Sequence, residues 1–165
     1  MNSAEVLSLY NWLAGQHITI WIDGGWCVDA LLGRQTREHS DVDIAVHRRD
    51  NAKLIFLLES RGYQSQVRAD TTEWVYVMKN IEGLQVDVHV FEYDEDGRNT
   101  YGIEYPYGSL TGKGTLEGQE VNCVTPEWMF RFKTAYQPAE KDLNDVHALA
   151  IQYGFEIPKS HRELP

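Results

Sequence analysis

Apolar residues recur at helical spacing over residues 4–14, where Val6, Leu7, Tyr10, Leu13 and Ala14 share a side and Gly15 can end the helix. Residues 18–22 read as a short strand broken by Gly24-Gly25, and 26–32 as a short helix closed by Gly33. Residues 34–40 are polar and loop-like. Strict alternation from Asp41 to His47 predicts a strand, and Leu54, Ile55, Leu57 and Leu58 predict an amphipathic helix over 51–61. Residues 74–78 and 84–91 form a predicted hairpin, with a turn at 94–97. A second hairpin is expected from 114–116 and 120–124 around Glu117-Gly118-Gln119. Thr125-Pro126 then starts a helix, and Pro138 opens the last one, which runs to about Tyr153. The order α-β-α-β-α, then antiparallel strands, then helices, predicts an α/β (α+β) fold. Its centre is a mixed, mostly antiparallel sheet backed by helices. Residues 1–97 are expected to form the core, and 98–165 a hairpin and helical extension packed with it as one compact unit.

Composition narrows the class. A chain of 165 residues with 42% hydrophobic and 12% aromatic content can bury a core and is not disordered. No apolar run reaches the roughly 18 residues of a membrane span, and the N-terminus lacks the basic cluster of a signal peptide, so a cytoplasmic protein is expected. The formal net charge of −10 argues against a nucleic-acid partner. Cys27 and Cys123 lack ligand spacing and read as small buried hydrophobes.

The candidate chemistry lies in carboxylates. Residues two apart on a strand share a face, about 6.6 Å apart along the axis. Asp41 and Asp43 therefore project together, while Val42, Ile44 and Val46 face the core. In the segment 84–90, Asp87 and His89 project opposite Val86, Val88 and Val90. If the two strands are neighbours, Asp41, Asp43 and Asp87 converge at one edge of the sheet. Such oxygen donors suit Mg²⁺, and the third acid can either complete a metal site or take a proton from an attacking hydroxyl. An isolated Asp-x-Asp is more simply a solvent-facing pair; the third acid and the upstream Gly24-Gly25 turn change that reading. Glycines at a strand-to-helix junction let backbone N–H groups approach a phosphate.

The run Trp21-Ile22-Asp23-Gly24-Gly25-Trp26, with Gly33-Arg34, Arg37-Glu38-His39 and Asp41-Val42-Asp43 at fixed spacing, resembles the nucleotidyltransferases of the DNA polymerase β superfamily. It is most similar to their small antibiotic-modifying branch, the lincosamide and aminoglycoside 2″-nucleotidyltransferases. The resemblance implies transfer of a nucleoside monophosphate from an NTP, usually ATP, to a hydroxyl of a small antibiotic, with two Mg²⁺ ions and release of pyrophosphate. Asp41 and Asp43 match the metal-binding acids, Asp87 matches the third acid as base or ligand, and Gly24 and Gly25 match the turn on the triphosphate. The acceptor's identity does not carry over, and relatives of this size leave a homodimer open.

A triphosphate also needs basic partners. Arg34, Arg37, His39, Lys133 and Lys141 are the candidates, and Arg34 and Lys133 are the two expected to fill that role. Asp142 and Asp145, three apart on the last helix, read as an exposed ion-paired face. Tyr101, Tyr105 and Tyr107 form a glycine-flanked segment that suits a mobile lip on an acceptor cleft, and the acidic cluster 92–96 reads as a polar turn. Two alternatives stand beside the antibiotic reading: an antitoxin-like enzyme that adenylylates a partner protein, and a catalytically silent nucleotide-binding module.

Overall fold

The alternation around Val42 is the inner face of a central strand. The computed structural model describes residues 1–162. Helix α1 (Ser3–Gly15), strand β1 (Ile20–Asp23), α2 (Gly24–Leu32), β2 (Val42–His47) and α3 (Arg48–Ser60) come first. Strands β3 (Gln64–Gln66), β4 (Val75–Lys79), β5 (Gln85–Tyr93) and β6 (Asn99–Gly102) follow. The hairpin β7 (Gly112–Leu116) and β8 (Gln119–Cys123) then leads to helices α4 (Pro126–Thr134) and α5 (Glu140–Tyr153). All eight strands form one sheet in the order β3-β4-β5-β2-β1-β8-β7, with β6 paired to the far end of β5. The sheet is mixed and mostly antiparallel: β2 with β5 and β1 with β8 are its parallel pairs.

One face of the three central strands is entirely apolar. Ile20, Ile22, Ile44, Val46, Val86, Val88 and Val90 are buried there together with Leu54 and Leu58 of α3 and Leu9 and Leu13 of α1. Burying side chains of this size contributes roughly 1.5–3 kcal/mol each. Because strand side chains alternate, a one-residue slip would turn this row outward and bury the acids instead, so packing fixes the register. The opposite face of the same strands carries Asp23, Asp43, Asp87 and His89.

Some elements differ from the sequence pattern. Strand β2 starts at Val42, which leaves Asp41 one residue before the ladder. Strand β3 is wholly exposed and polar and shows no alternation, so its backbone pairing with β4 alone defines it. Strand β6 is also too short to carry a period. Helix α2 begins at Gly24, because the Asp23 side chain caps it by accepting the Gly24 N–H at 2.7 Å. Helix α5 begins at Glu140, two residues beyond Pro138, where the Asp142 carboxylate accepts the Ala139 N–H at 3.1 Å. Cys27 and Cys123 are buried and unpaired to each other. Among the described residues, no helix is long and apolar enough to cross a membrane.

Candidate active site

Pairing across the central strands sets three carboxylates in one row. Asp23 on β1 stands opposite Asp43 on β2, and Asp43 stands beside Asp87 on β5. Adjacent strands lie about 4.8 Å apart, so the row is a ladder of like charges. Asp41 enters from the residue before β2. Asp23 is an acid the sequence reading passed over; its signal was its place at the end of an apolar strand directly before the Gly-Gly turn.

The members of this row are held differently. Asp23 is buried; one oxygen caps α2 and the other accepts the Tyr105 hydroxyl at 2.5 Å. The His89 ring lies 3.5 Å from the same oxygen. Burial opposes the charge of Asp23, but these partners outweigh it and hold the carboxyl below its ordinary range. His89 is raised in turn: desolvation disfavours the imidazolium, and Asp23, Asp43 and Asp87 together favour it. Asp43 makes no hydrogen bond among the described residues. Burial pushes it up to about 7, and Asp23, Asp41 and Asp87 add repulsion that His89 only partly offsets. Asp87 accepts from Arg68 at 3.0 Å and from the Gln85 amide at 2.9 Å, and the same amide reaches Asp41 at 3.3 Å.

Glycine is required at the turn for a steric reason. Gly24 has φ +59°, and a Cβ there would overlap the Asp43 carboxylate. A Cβ at Gly25 would strike the Arg37 guanidinium and the His39 ring. The turn therefore brings bare backbone against the one unpartnered acid of the row.

Two cavities meet at Asp43. One, of about 640 Å³, is lined by Asp23, Asp43 and His89 at its floor, by Ile103, Met129, Phe132 and Tyr136 on its apolar wall, and by Glu104. The other, of about 400 Å³, is lined by Gly24, Gly25, Arg37, Ser40 and Asp41. Gly24, Asp43, Lys133 and Lys141 line both.

The basic candidates divide. Arg34 is exposed, directly follows the left-handed Gly33 cap of α2, and lines neither cavity. Lys133 does reach the cavities, but its ammonium is committed to Asp145 at 2.9 Å and Asp142 at 3.2 Å, and these carboxylates raise it above its ordinary value despite desolvation. Arg37 makes a two-pronged contact to Asp145, both distances 3.1 Å. Asp142 and Asp145 are thus buried, at 5% and 1% exposure, and not an exposed helix face, since α5 turns them toward Arg37 and Lys133. His39 is also buried: its Nε2 lies 2.5 Å from Asp29, and Trp26 packs on its ring. It pins the loop before β2 onto α2. Lys141 is the exposed cation that lines both cavities.

The aromatic segment is anchored. Tyr105, 3% exposed, is bolted to Asp23 and is no mobile lip, whereas Tyr107 is largely exposed. In the acidic turn, Glu92 pairs with Arg48 and Asp96 with Arg98; neither lines the cavities.

Among the described residues no three acids, imidazoles or thiols are already drawn together into a cation cage. The donor set nevertheless suits a hard divalent cation: Asp41, Asp43 and Asp87 offer carboxylate oxygens only, and the middle one lacks any partner.

A mixed sheet that sets an Asp-x-Asp strand parallel to a third acidic strand, behind a Gly-Gly helix start, defines a nucleotidyltransferase. The sequence model of the aminoglycoside-2″-adenylyltransferase family matches residues 5–149, and the chain belongs to that family. A lincosamide resistance protein of Staphylococcus haemolyticus is 30% identical over 140 residues, covering 80% of this chain and 84% of that protein. A 2″-aminoglycoside nucleotidyltransferase of Escherichia coli is 34% identical over 65 residues, 38% of this chain and 37% of that protein. Among solved structures, the lincomycin-bound lincosamide adenylyltransferase LnuA superposes with a TM-score of 0.78 at 25% identity, over 90% of this chain and 96% of that one. ANT(2″)-Ia with adenylyl-2″-tobramycin shares the fold at a TM-score of 0.74 and 19% identity, over 91% of this chain and 88% of that one.

Proposed function

We propose that this enzyme transfers a nucleoside monophosphate, with ATP as donor, to a hydroxyl of a small antibiotic and releases pyrophosphate. The observation that carries the reading is Asp43, an unpartnered carboxylate at the junction of two cavities, flanked by Asp41 and Asp87 and backed by the Gly24 turn. The Gly24–Gly25 cavity, at the start of α2 and beside the exposed Lys141, suits the triphosphate. The larger cavity, walled by Ile103, Met129, Phe132 and Tyr136, suits the acceptor.

In this reading Asp41, Asp43 and Asp87 hold Mg²⁺. A bound divalent cation there supplies charge neutralisation on the triphosphate and acidifies the acceptor hydroxyl. The protein's own part is mostly positioning. The Gly24 turn seats the phosphates, and Lys141 adds positive charge to them. Arg37 acts by anchoring α5 to the loop that delivers Asp41, and Lys133 by tying α4 to α5. Asp87, beside Asp43 on β5, is the third acid of the scheme, as a cation ligand or as acceptor of the hydroxyl proton. Tyr105 fixes the acceptor wall to Asp23.

A lincosamide is the first acceptor to test. The lincosamide resistance relative aligns over most of the chain, and an apolar wall favours a ligand with an apolar face over a dense polycation. Pyrophosphate release is measured with ATP or GTP and Mg²⁺ against lincosamides, aminoglycosides and no acceptor, with mass spectrometry of the products. The expected result is a drug gaining one AMP. Nucleotide binding without release, whatever drug is supplied, would overturn the antibiotic reading and favour a protein acceptor.

A further inference from the structure

Two of the three candidate cation ligands are already engaged by the chain itself. Asp87 Oδ2 accepts from Arg68 Nη1 at 3.0 Å, and its Oδ1 accepts from Gln85, whose amide also reaches Asp41. Arg68 comes from the segment 67–74 between β3 and β4, across the sheet from Lys133 and Lys141. That segment is ordered by its own short bonds. The Arg68 N–H donates to the Thr71 hydroxyl at 2.8 Å, and Thr72 Oγ1 accepts from the N–H groups of Trp74 and Val75. The guanidinium itself remains 42% exposed, while the Asp87 carboxylate is 16% exposed. It reaches in from solvent and can leave without opening the core.

The physical situation is a row of carboxylates short of positive charge. Arg68 is the charged side chain that pairs with a proposed cation ligand. Guanidinium does not deprotonate in the working pH range, so this pair is broken by displacement and not by titration. A divalent cation among Asp41, Asp43 and Asp87 would face the guanidinium as a like charge across one carboxylate. A triphosphate arriving with it offers that planar guanidinium two oxygens of one phosphate at once.

We infer that Arg68 is a displaceable counter-ion: it holds Asp87 in the empty enzyme and passes to the nucleotide's phosphates when the cation takes its place. The inference rests on the proposed cation site. Arg68 is a positioning residue in this scheme, and it ties the 67–74 segment to the loading of the site.

The test compares the intact protein with Arg68→Ala and Arg68→Lys. Mn²⁺ binding without nucleotide is followed by the paramagnetic resonance of the free ion, and binding of a non-hydrolysable ATP analogue in Mn²⁺ by calorimetry. An exposed ion pair of this kind corresponds to a few-fold in affinity, so Arg68→Ala is expected to bind Mn²⁺ alone about three- to fivefold more tightly. The same variant is expected to bind the analogue roughly tenfold more weakly, because a charge-assisted contact to phosphate is lost. Arg68→Lys keeps the charge and loses the fork, so its Mn²⁺ affinity stays near wild type while the analogue weakens. Unchanged melting temperatures exclude a folding effect. Mn²⁺ affinity that stays the same or falls in Arg68→Ala overturns the displacement, and analogue affinity that does not fall overturns the transfer to phosphate. Failure of the wild type to bind Mn²⁺ at all removes the cation reading and this inference with it, an outcome distinct from either.

Discussion

Two groups of buried and half-buried acids line or adjoin one cavity, and they are treated oppositely. On α5, Asp142 and Asp145 are saturated: Lys133 meets both, Arg37 grips Asp145, and the Tyr136 hydroxyl and Ala139 N–H complete Asp142. On the sheet, Asp23, Asp43 and Asp87 face one imidazole and one half-exposed arginine, and the middle acid has no hydrogen-bond partner among the described residues. Burial costs a charge several kcal/mol unless it is paired. The α5 group meets that cost within the fold. On the sheet Asp23 and Asp87 are partnered, and the cost is left outstanding at Asp43. The same residue type in the same protein thus builds structure in one place and, in the function proposed above, a binding site in another, and counter-charge separates the two.

The sharpest way to break the contrast is Asp43→Asn. It keeps the shape and removes the charge, and turnover is expected to fall by on the order of 10³-fold. Stability should move the other way. A carboxyl whose folded pKa lies near 7, above its unfolded value, contributes nothing below about pH 4. Its cost accumulates as pH rises and is complete above about 7. The metal-free wild type should therefore lose roughly 2–4 kcal/mol across that window, and Asp43→Asn should flatten the profile in thermal melts. A variant no more stable than wild type at pH 8 would show that the sheet acids are as well satisfied as those of α5.

The mirror experiment is Asp145→Ala, which strands Arg37 and leaves Lys133 with Asp142 alone. Loss of about 3–5 kcal/mol is expected in denaturant titration. Smaller effects divide the cations: Lys141→Ala should raise the KM for nucleotide about tenfold, and Arg34→Ala should leave it unchanged. Tyr105→Phe removes one hydrogen bond to a charged group, about 1.5–3 kcal/mol before relaxation, read as a lower melting temperature with nucleotide KM unaltered.

The sequence pattern made the central sheet legible because alternation at Val42–Val46 and Val86–Val90 is a direct image of one-sided burial. Strand β3 was not legible, since an exposed polar edge has no side-chain period and is defined by backbone bonds alone. Within the site, Asp41, Asp43 and Asp87 could be placed from spacing and resemblance. Asp23 and Tyr105 could not: their partnership joins residues 82 positions apart, and nothing local in Tyr105 marks it as the anchor of an acid. Lys133 and Arg34 illustrate the same limit. Both are basic residues, and only packing reveals that Lys133 is occupied by Asp142 and Asp145 and that Arg34 lines neither cavity.

The order of strands has a consequence for how the chain is made. Strand β1, which ends in Asp23, lies between β2 and β8, so one of its edges is closed by residues near 123. Until the ribosome has delivered β8, that apolar strand presents an unpaired backbone edge to every other nascent copy. Slow synthesis between β2 and β8, or a stop before β8, would expose the same strand that positions the site.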